Sequence, residues 1–251
     1  MNKRLLVLGG LVALLALTGC LGGGGPSQDD LARNATYDWN TSVNGSITIE
    51  ENEYRAVYRI YNRTEFQVFG RGDFGGDEPL SDMSALQFRF PNGTVVNASA
   101  FEVASNRDRT TLTLPGRDGR LAFSVDRNGK RFQTPVFVEG AYQVTLPPGT
   151  NVGIPLASNV VPGGYERETV DGQTRLTWEE MDSNTLVVRY YLDRDIWLFG
   201  GFLMIAIVLG VGGGLYYWRQ IRTLAAQRSE HGLDIEEEDD PTDDGPPPGM
   251  R

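Results

Sequence analysis

Apolar positions along the chain follow three different patterns. Between Tyr37 and Leu192 they alternate with polar ones, as where Tyr54, Ala56, Tyr58 and Ile60 are set against Arg55 and Arg59, and Leu86, Phe88 and Phe90 against Gln87 and Arg89. A period of two belongs to strands with one buried face. Similar runs are Ile47 to Ile49, Phe66 to Phe69, Thr110 to Leu114, Leu121 to Val125, Phe132 to Val138, Tyr142 to Leu146, Leu176 to Trp178 and Leu186 to Leu192. Asn92-Gly93, Asp118-Gly119, Asn128-Gly129 and Asp171-Gly172 punctuate them with residues that accept the positive φ of tight turns. No amphipathic helix interrupts the pattern. The expectation for residues 37–195 is a mainly β, antiparallel sandwich-like domain, with Pro147 to Gly164 as a long surface connection and Glu139-Gly140 as a possible seam.

The second pattern is a continuous apolar run, Ile196 to Trp218, with 23 residues and no charge. At about 1.5 Å per residue an α-helix of that length crosses a hydrocarbon core of about 30 Å, so residues 196–218 are expected to form one C-terminal transmembrane helix. Tyr190, Tyr191 and Trp197 at one end and Tyr216, Tyr217 and Trp218 at the other suit the two interfaces. Arg219, Arg222 and Arg228 follow the span while Asp193-Arg194-Asp195 precedes it, which places the C-terminus in the cytoplasm and the β-rich region outside. Ala206, Gly210 and Gly214, four residues apart, allow close helix packing and a homodimer through the span. In residues 219–251 the helix is expected to continue to Gln227 and to stop at His231-Gly232. A disordered acidic tail follows, carrying Glu236 to Asp240 and Asp243-Asp244, and serves as a solvating segment or as a docking peptide.

The third pattern is at the N-terminus, where Lys3-Arg4 precedes the apolar run Leu5 to Leu17 and then Thr18-Gly19-Cys20. Residues 1–20 resemble a lipoprotein signal peptide whose lipobox ends at Cys20, the residue that would receive lipid; the alternative is an uncleaved signal anchor with an incidental cysteine. Residues 21–36 open with a glycine run and are expected to be a flexible tether. Cys20 is the only cysteine, so no intrachain disulfide forms.

Composition narrows partners and chemistry. Acidic residues outnumber basic ones 33 to 23, for a net charge of -10, which makes nucleic acid a poor partner. Of the 23 basic residues 21 are arginine, and an acidic, lysine-poor chain resembles proteins of salt-accumulating halophiles. Asn-x-Ser/Thr sequences at Asn34, Asn40, Asn44, Asn62, Asn92 and Asn97 use six of 13 asparagines, which marks them as candidate glycan acceptors. The one histidine, His231, follows the span, so the β region has no Ser-His or Cys-His pair and no imidazole for a metal. Carboxylate chemistry of the glycosidase kind survives, without a pair that stands out. Asp73, Asp77, Glu78 and Asp82 are a weak cation-site candidate, and Asp126-Arg127-Asn128-Gly129 begins like a calcium loop but lacks the later ligands. Arg71-Gly72-Asp73 reads as an ordinary loop. No metal and no cofactor is expected.

The lipobox, the segments Phe88 to Ala100 and Thr134 to Gly140, and the end Pro246 to Arg251 together resemble a haloarchaeal family of membrane lipoproteins of unknown function. The resemblance implies an archaeal surface location and supplies no activity. The expected function is a lipidated, single-span protein of the cell surface, whose β-rich ectodomain is a binding or structural module. Its partners would be membrane lipid and an envelope or membrane protein. Two alternatives are a transmembrane relay or complex subunit acting through the acidic tail, and a carboxylate-dependent enzyme acting on glycans.

Overall fold

A computed structural model describes residues 24–72 and 76–230, with side chains to Leu224. The chain divides into two compact units, Met1–Asp195 and Ile196–Arg251. The first is mainly β, with a short helix α1 (Gln28–Leu31) ahead of its strands. These are β1 (Gly45–Ile49), β2 (Glu53–Ile60), β3 (Glu65–Val68), β4 (Gly70–Arg71), β5 (Asp77–Glu78), β6 (Met83–Arg89), β7 (Val95–Asn97), β8 (Glu102–Ser105), β9 (Thr110–Thr113), β10 (Gly119–Asp126), β11 (Arg131–Pro135), β12 (Tyr142–Thr145), β13 (Thr150–Asn151), β14 (Asn159–Val161), β15 (Glu166–Val170), β16 (Gln173–Trp178), β17 (Thr185–Arg189) and β18 (Tyr191–Leu192).

Eight of them form one sheet in the order β15-β16-β12-β1-β2-β10-β6-β7, antiparallel except for the parallel pair β1 and β12. The alternation on β2 decides its faces. Tyr54, Ala56, Tyr58 and Ile60 point into a core shared with Phe66 and Val68 of β3, Leu112 of β9, Phe132 of β11, and Leu186 and Val188 of β17. The sheets β3-β9-β8 and β11-β17-β14 therefore supply the second layer of a sandwich. Tyr58 sits centrally, its ring 5.7 Å from Phe66, 5.8 Å from Phe123 and 5.6 Å from Phe137, each such pair adding about 1 kcal/mol beyond area burial. Asp171 and Gly172, with φ of 51° and 77°, make the tight turn of the β15–β16 hairpin.

The expected single β domain has no seam at Glu139-Gly140, because Tyr142 and Val144 beyond it enter the same core and β12 pairs with β1. Three sequence expectations are corrected. The stretch from Pro147 to Gly164 is not only a surface connection: it holds β13 and β14, and Val152 is fully buried. Strands of two or three residues show no period, and these two depend on β18 and β17 for their hydrogen bonds. The run Leu186 to Leu192 is two strands, which pair in different sheets on either side of the buried Tyr190.

The third correction concerns the expected tether 21–36, of which residues 27–36 are part of the fold. Ser27 caps α1 by accepting from the Asp30 amide at 3.0 Å, and Leu31 is fully buried in the main core. Residues 34–43 then cross the outer face of the sheet as a strap. Tyr37 and Trp39 lie over Val57, Ala85 and Ala122, and the Tyr37 hydroxyl donates to the Ala85 carbonyl at 2.7 Å. A bulge in β6, where Ala85 takes φ of 51°, turns that carbonyl outward. Small residues on the sheet make the seat for the strap, and nothing in residues 27–36 alone signals it.

The second unit is the helix α2 (Asp193–Glu230), which begins within the first unit. Asp193, Arg194 and Asp195 form its first turn, so no linker separates β18 from the helix. Asp193 and Asp195 suit the positive end of the helix dipole. The helix runs past the expected Gln227 to at least Glu230, and from Phe199 to Trp218 every side chain is exposed. By length and composition it can cross a membrane.

Candidate functional site

Along its strands the main sheet has two distinct ends. The end called near carries the β1–β2 turn, the Arg127 to Lys130 connection and the chain exit at Tyr190 to Asp195, joined where Arg127 donates to the Glu50 carbonyl at 3.1 Å and the Tyr190 hydroxyl at 2.8 Å. Arg33 to Thr36 belong to this end too, lining a cleft with Glu53 and Asp126. The far end is where β2 and β6 finish and β10 starts. There the register places Arg120 opposite Arg59 on one side and opposite Arg89 on the other. Residues paired across antiparallel strands share a face, so the three guanidiniums form a row on the outer face, about 10 Å long at a strand spacing of about 4.8 Å.

Gly119 makes this row possible. A Cβ there would lie 2.5 Å from the Arg89 carbonyl oxygen and 2.6 Å from the Phe88 ring, so only glycine lets β10 start this close to β6. The row borders a cavity of about 350 Å³ whose wall also includes Tyr61, Pro91 and Asp118. Tyr61 is 80% exposed. Arg120 donates through Nη2 to the Thr41 carbonyl at 2.6 Å, so the strap holds it down, while its Nη1 is buried with no partner. Burial, and then Arg59 and Arg89, push the Arg120 guanidinium below its usual pKa, with Asp38 opposing them.

Like charges placed directly opposite oppose folding, which makes the absence of carboxylate partners informative. Among the described residues Arg59 and Arg89 make no hydrogen bond or ion pair. Several arginines elsewhere are paired, Arg33 with Asp30 at 2.6 Å, Arg55 with Glu53 at 2.8 Å and Arg175 with Glu168 at 3.5 Å, whereas the row sets three in succession without a carboxylate partner. The nearest acids of the far end are engaged with backbone, Asp118 accepting from the Asn62 amide and Asp38 from the Asn40 amide, each at 3.0 Å. The site is thus an open, cationic strip with one exposed aromatic beside it. It suits an anionic ligand and has no acid–base pair.

Sequence reasoning did not find this row. Arg59 and Arg89 were indistinguishable from the solvated face of any strand, and only the register of β10 brings Arg120 between them. A faint signal existed: each of the three lies at a strand end beside turn chemistry, Arg89 before Pro91-Asn92-Gly93 and Arg120 after Asp118-Gly119.

The residues singled out from sequence are dispersed. Asn40, Asn62 and Asn92 are exposed at the far end, next to Thr41, Tyr61 and Pro91 of the row's surroundings. Asn44 is also there but half-buried, its Nδ2 donating to the Glu139 carbonyl at 2.7 Å. Asn34 is exposed at the near end and Asn97 on the edge strand β7. Asp77 pairs with Arg109 at 3.6 Å, and Arg127 holds the Asp126 to Gly129 turn by donating to the Gly129 carbonyl. Among the described residues no cluster of three metal-ligating side chains occurs. Glu53 and Asp126 are opposed across β2 and β10, yet a Glu53 oxygen is taken by Arg55. Ala206, Gly210 and Gly214 lie on α2 with open space at both glycines. Cys20, Asp73 and the acidic tail are outside the described residues.

A family model, the family of unknown function DUF5803, matches residues 41–236, which takes in the whole main sheet and α2. No curated protein matches the sequence.

Proposed function

The chain belongs to the DUF5803 family of unknown function, and we propose that it is a membrane-anchored surface protein whose β-rich domain is a binding module of the cell envelope. The observation that carries the proposal is α2: 23 consecutive uncharged residues, exposed from Phe199 onward, continue a strand of the β domain without a linker. An exposed apolar surface of that length is stable only in lipid, where a helix satisfies its own backbone. The arginines after Trp218 favour a cytoplasmic C-terminus and an external β domain. Lipid on Cys20 would add a second anchor. Both attachments, the chain before Ser27 and the exit at Asp195, then load the near end of the sheet, and the far end is the part of the domain farthest along the strands from either. A spanning helix holds almost irreversibly and a single acyl chain only marginally, so Cys20 acts in position rather than in retention. The halophilic, archaeal setting follows from the acidic, lysine-poor composition and the family resemblance.

Fractionation and protease shaving of intact cells test this reading. Cys20→Ser and a chain stopped after Asp195 should each stay with membranes, and the combination should be released. An epitope after Trp218 should be protected from external protease. Cleavage of that epitope from outside, or membrane retention of the doubly altered chain, overturns the proposal.

A further inference from the structure

We propose that the row Arg59, Arg120 and Arg89 binds an anionic glycan, a chain of sugars bearing sulfate esters or uronate carboxylates. The proposal rests on the binding-module reading and adds the site and the ligand class. Three observations carry it. The first is geometric: the cations recur at the strand spacing of about 4.8 Å, close to the length of one pyranose ring, so a chain charged on every sugar meets successive arginines and one charged on alternate sugars meets the outer pair. A lone phosphate or sulfate reaches two of the three at most.

The second is an unmet valence. Arg120 Nη1 is buried without a partner, Arg59 and Arg89 have none among the described residues, and the neighbouring Asp38 and Asp118 are engaged with backbone amides. A buried donor left unpaired opposes folding, and a row of like charges opposes it further. An anion laid along the row relieves the like-charge opposition, so the site gains more from its ligand than isolated exposed arginines would. The third is the cavity wall: Tyr61 is 80% exposed beside the cations, an aromatic face on which the apolar side of a sugar ring can rest.

Nucleic acid fits less well. The β region from Leu21 to Asp195 carries 24 acidic and 17 basic residues, so a long, densely charged strand is repelled once it leaves the row. A short anionic oligosaccharide matches the row and ends there. A lipid headgroup offers a single phosphate, which cannot span the row of about 10 Å.

The test is a binding titration of the full chain in detergent micelles with a heparin hexasaccharide, a hyaluronan hexasaccharide, a neutral dextran oligosaccharide and a short single-stranded oligonucleotide. The heparin or hyaluronan fragment should bind and raise the melting midpoint, and dextran should do neither. Replacing one charged hydrogen-bond donor, Arg120→Gln, should weaken binding by roughly tenfold or more. Arg131→Gln makes the same charge change at an exposed site outside the row and should leave binding unchanged. Arg59→Gln, which removes no hydrogen bond, should also weaken binding and without ligand should melt no lower than wild type, which shows that lost binding is not lost folding. No binding by either acidic fragment, equal weakening by Arg131→Gln, or an oligonucleotide that binds as tightly as the glycans overturns the proposal. The shaving experiment above is independent of these outcomes, so the anchored-module reading stands or falls separately.

Discussion

The two ends of the main sheet use arginine in opposite ways. At the near end Arg55 lies between Glu50 at 3.1 Å and Glu53 at 2.8 Å, Lys130 meets Asp195 at 2.6 Å, and the Arg127 guanidinium stands 5.6 Å from the Tyr190 ring while its Nη atoms donate to backbone and hydroxyl oxygens. At the far end three arginines face one another and receive one carbonyl among them. In a chain of net charge -10, carboxylates are plentiful, yet Asp38 and Asp118 beside the row accept from backbone amides and pair with none of its arginines. The near end shows what arginine looks like when it holds a structure together. The far end shows it held ready for something else.

The largest expected separation of the ends comes in alkali. Burial pushes the hydroxyls of Tyr37 in the strap and Tyr142 at the start of β12 up to about 12 from 10. Their folded values exceed the unfolded ones, so their contribution is complete below pH 10 and lost as pH rises toward about 12. At about 1.4 kcal/mol per pH unit the loss is roughly 2–3 kcal/mol for each. Burial pushes Tyr54 of the near end higher still, so hydrogen exchange should show the strap and the start of β12 opening before the near end. Simultaneous opening of both ends would remove the distinction.

Next in size is Gly119→Ala, whose new Cβ meets backbone rather than a flexible side chain. Overpacking of this kind costs about 3 kcal/mol, and denaturant unfolding should register it together with loss of the Arg120–Arg89 register. Arg127→Ala removes donors to Glu50 and Tyr190 and should destabilise by about 2 kcal/mol in the same assay. Arg59→Gln, by contrast, removes no hydrogen bond and relieves like-charge opposition to Arg120, so it should change stability by less than about 1 kcal/mol, in the favourable direction. If it destabilises as much as Arg127→Ala, the far arginines are structural like the near ones.

The smallest effect on folding, and the sharpest on surface chemistry, concerns the asparagines. Asn40, Asn62 and Asn92 are exposed around the row, and glycopeptide mass spectrometry of protein from its own host should find glycans there. Asn44 should be bare, because its Nδ2 is committed to Glu139 and a Cβ on Gly140 would come within 2.4 Å of it. Modified Asn44 would show that the far end opens before glycan transfer.

Much of this protein was legible in its sequence because the deciding forces act locally. A period of two on β2, β6 and β10 is visible in seven or eight residues, the Asp171-Gly172 turn needs only two, and an uncharged run of 23 residues specifies its own helix in lipid. The strap, the short strands β13, β14 and β18, and the arginine row were not legible. Leu31 and Tyr37 are buried by surfaces built from residues far along the chain, and a two-residue strand exists only where a partner receives it. The row needed more still, because sequence places Arg59, Arg89 and Arg120 at polar positions of three separate strands. Only the pairing of β10 with both β2 and β6 sets their charges side by side, and electrostatic opposition between residues about 30 to 60 positions apart has no local trace.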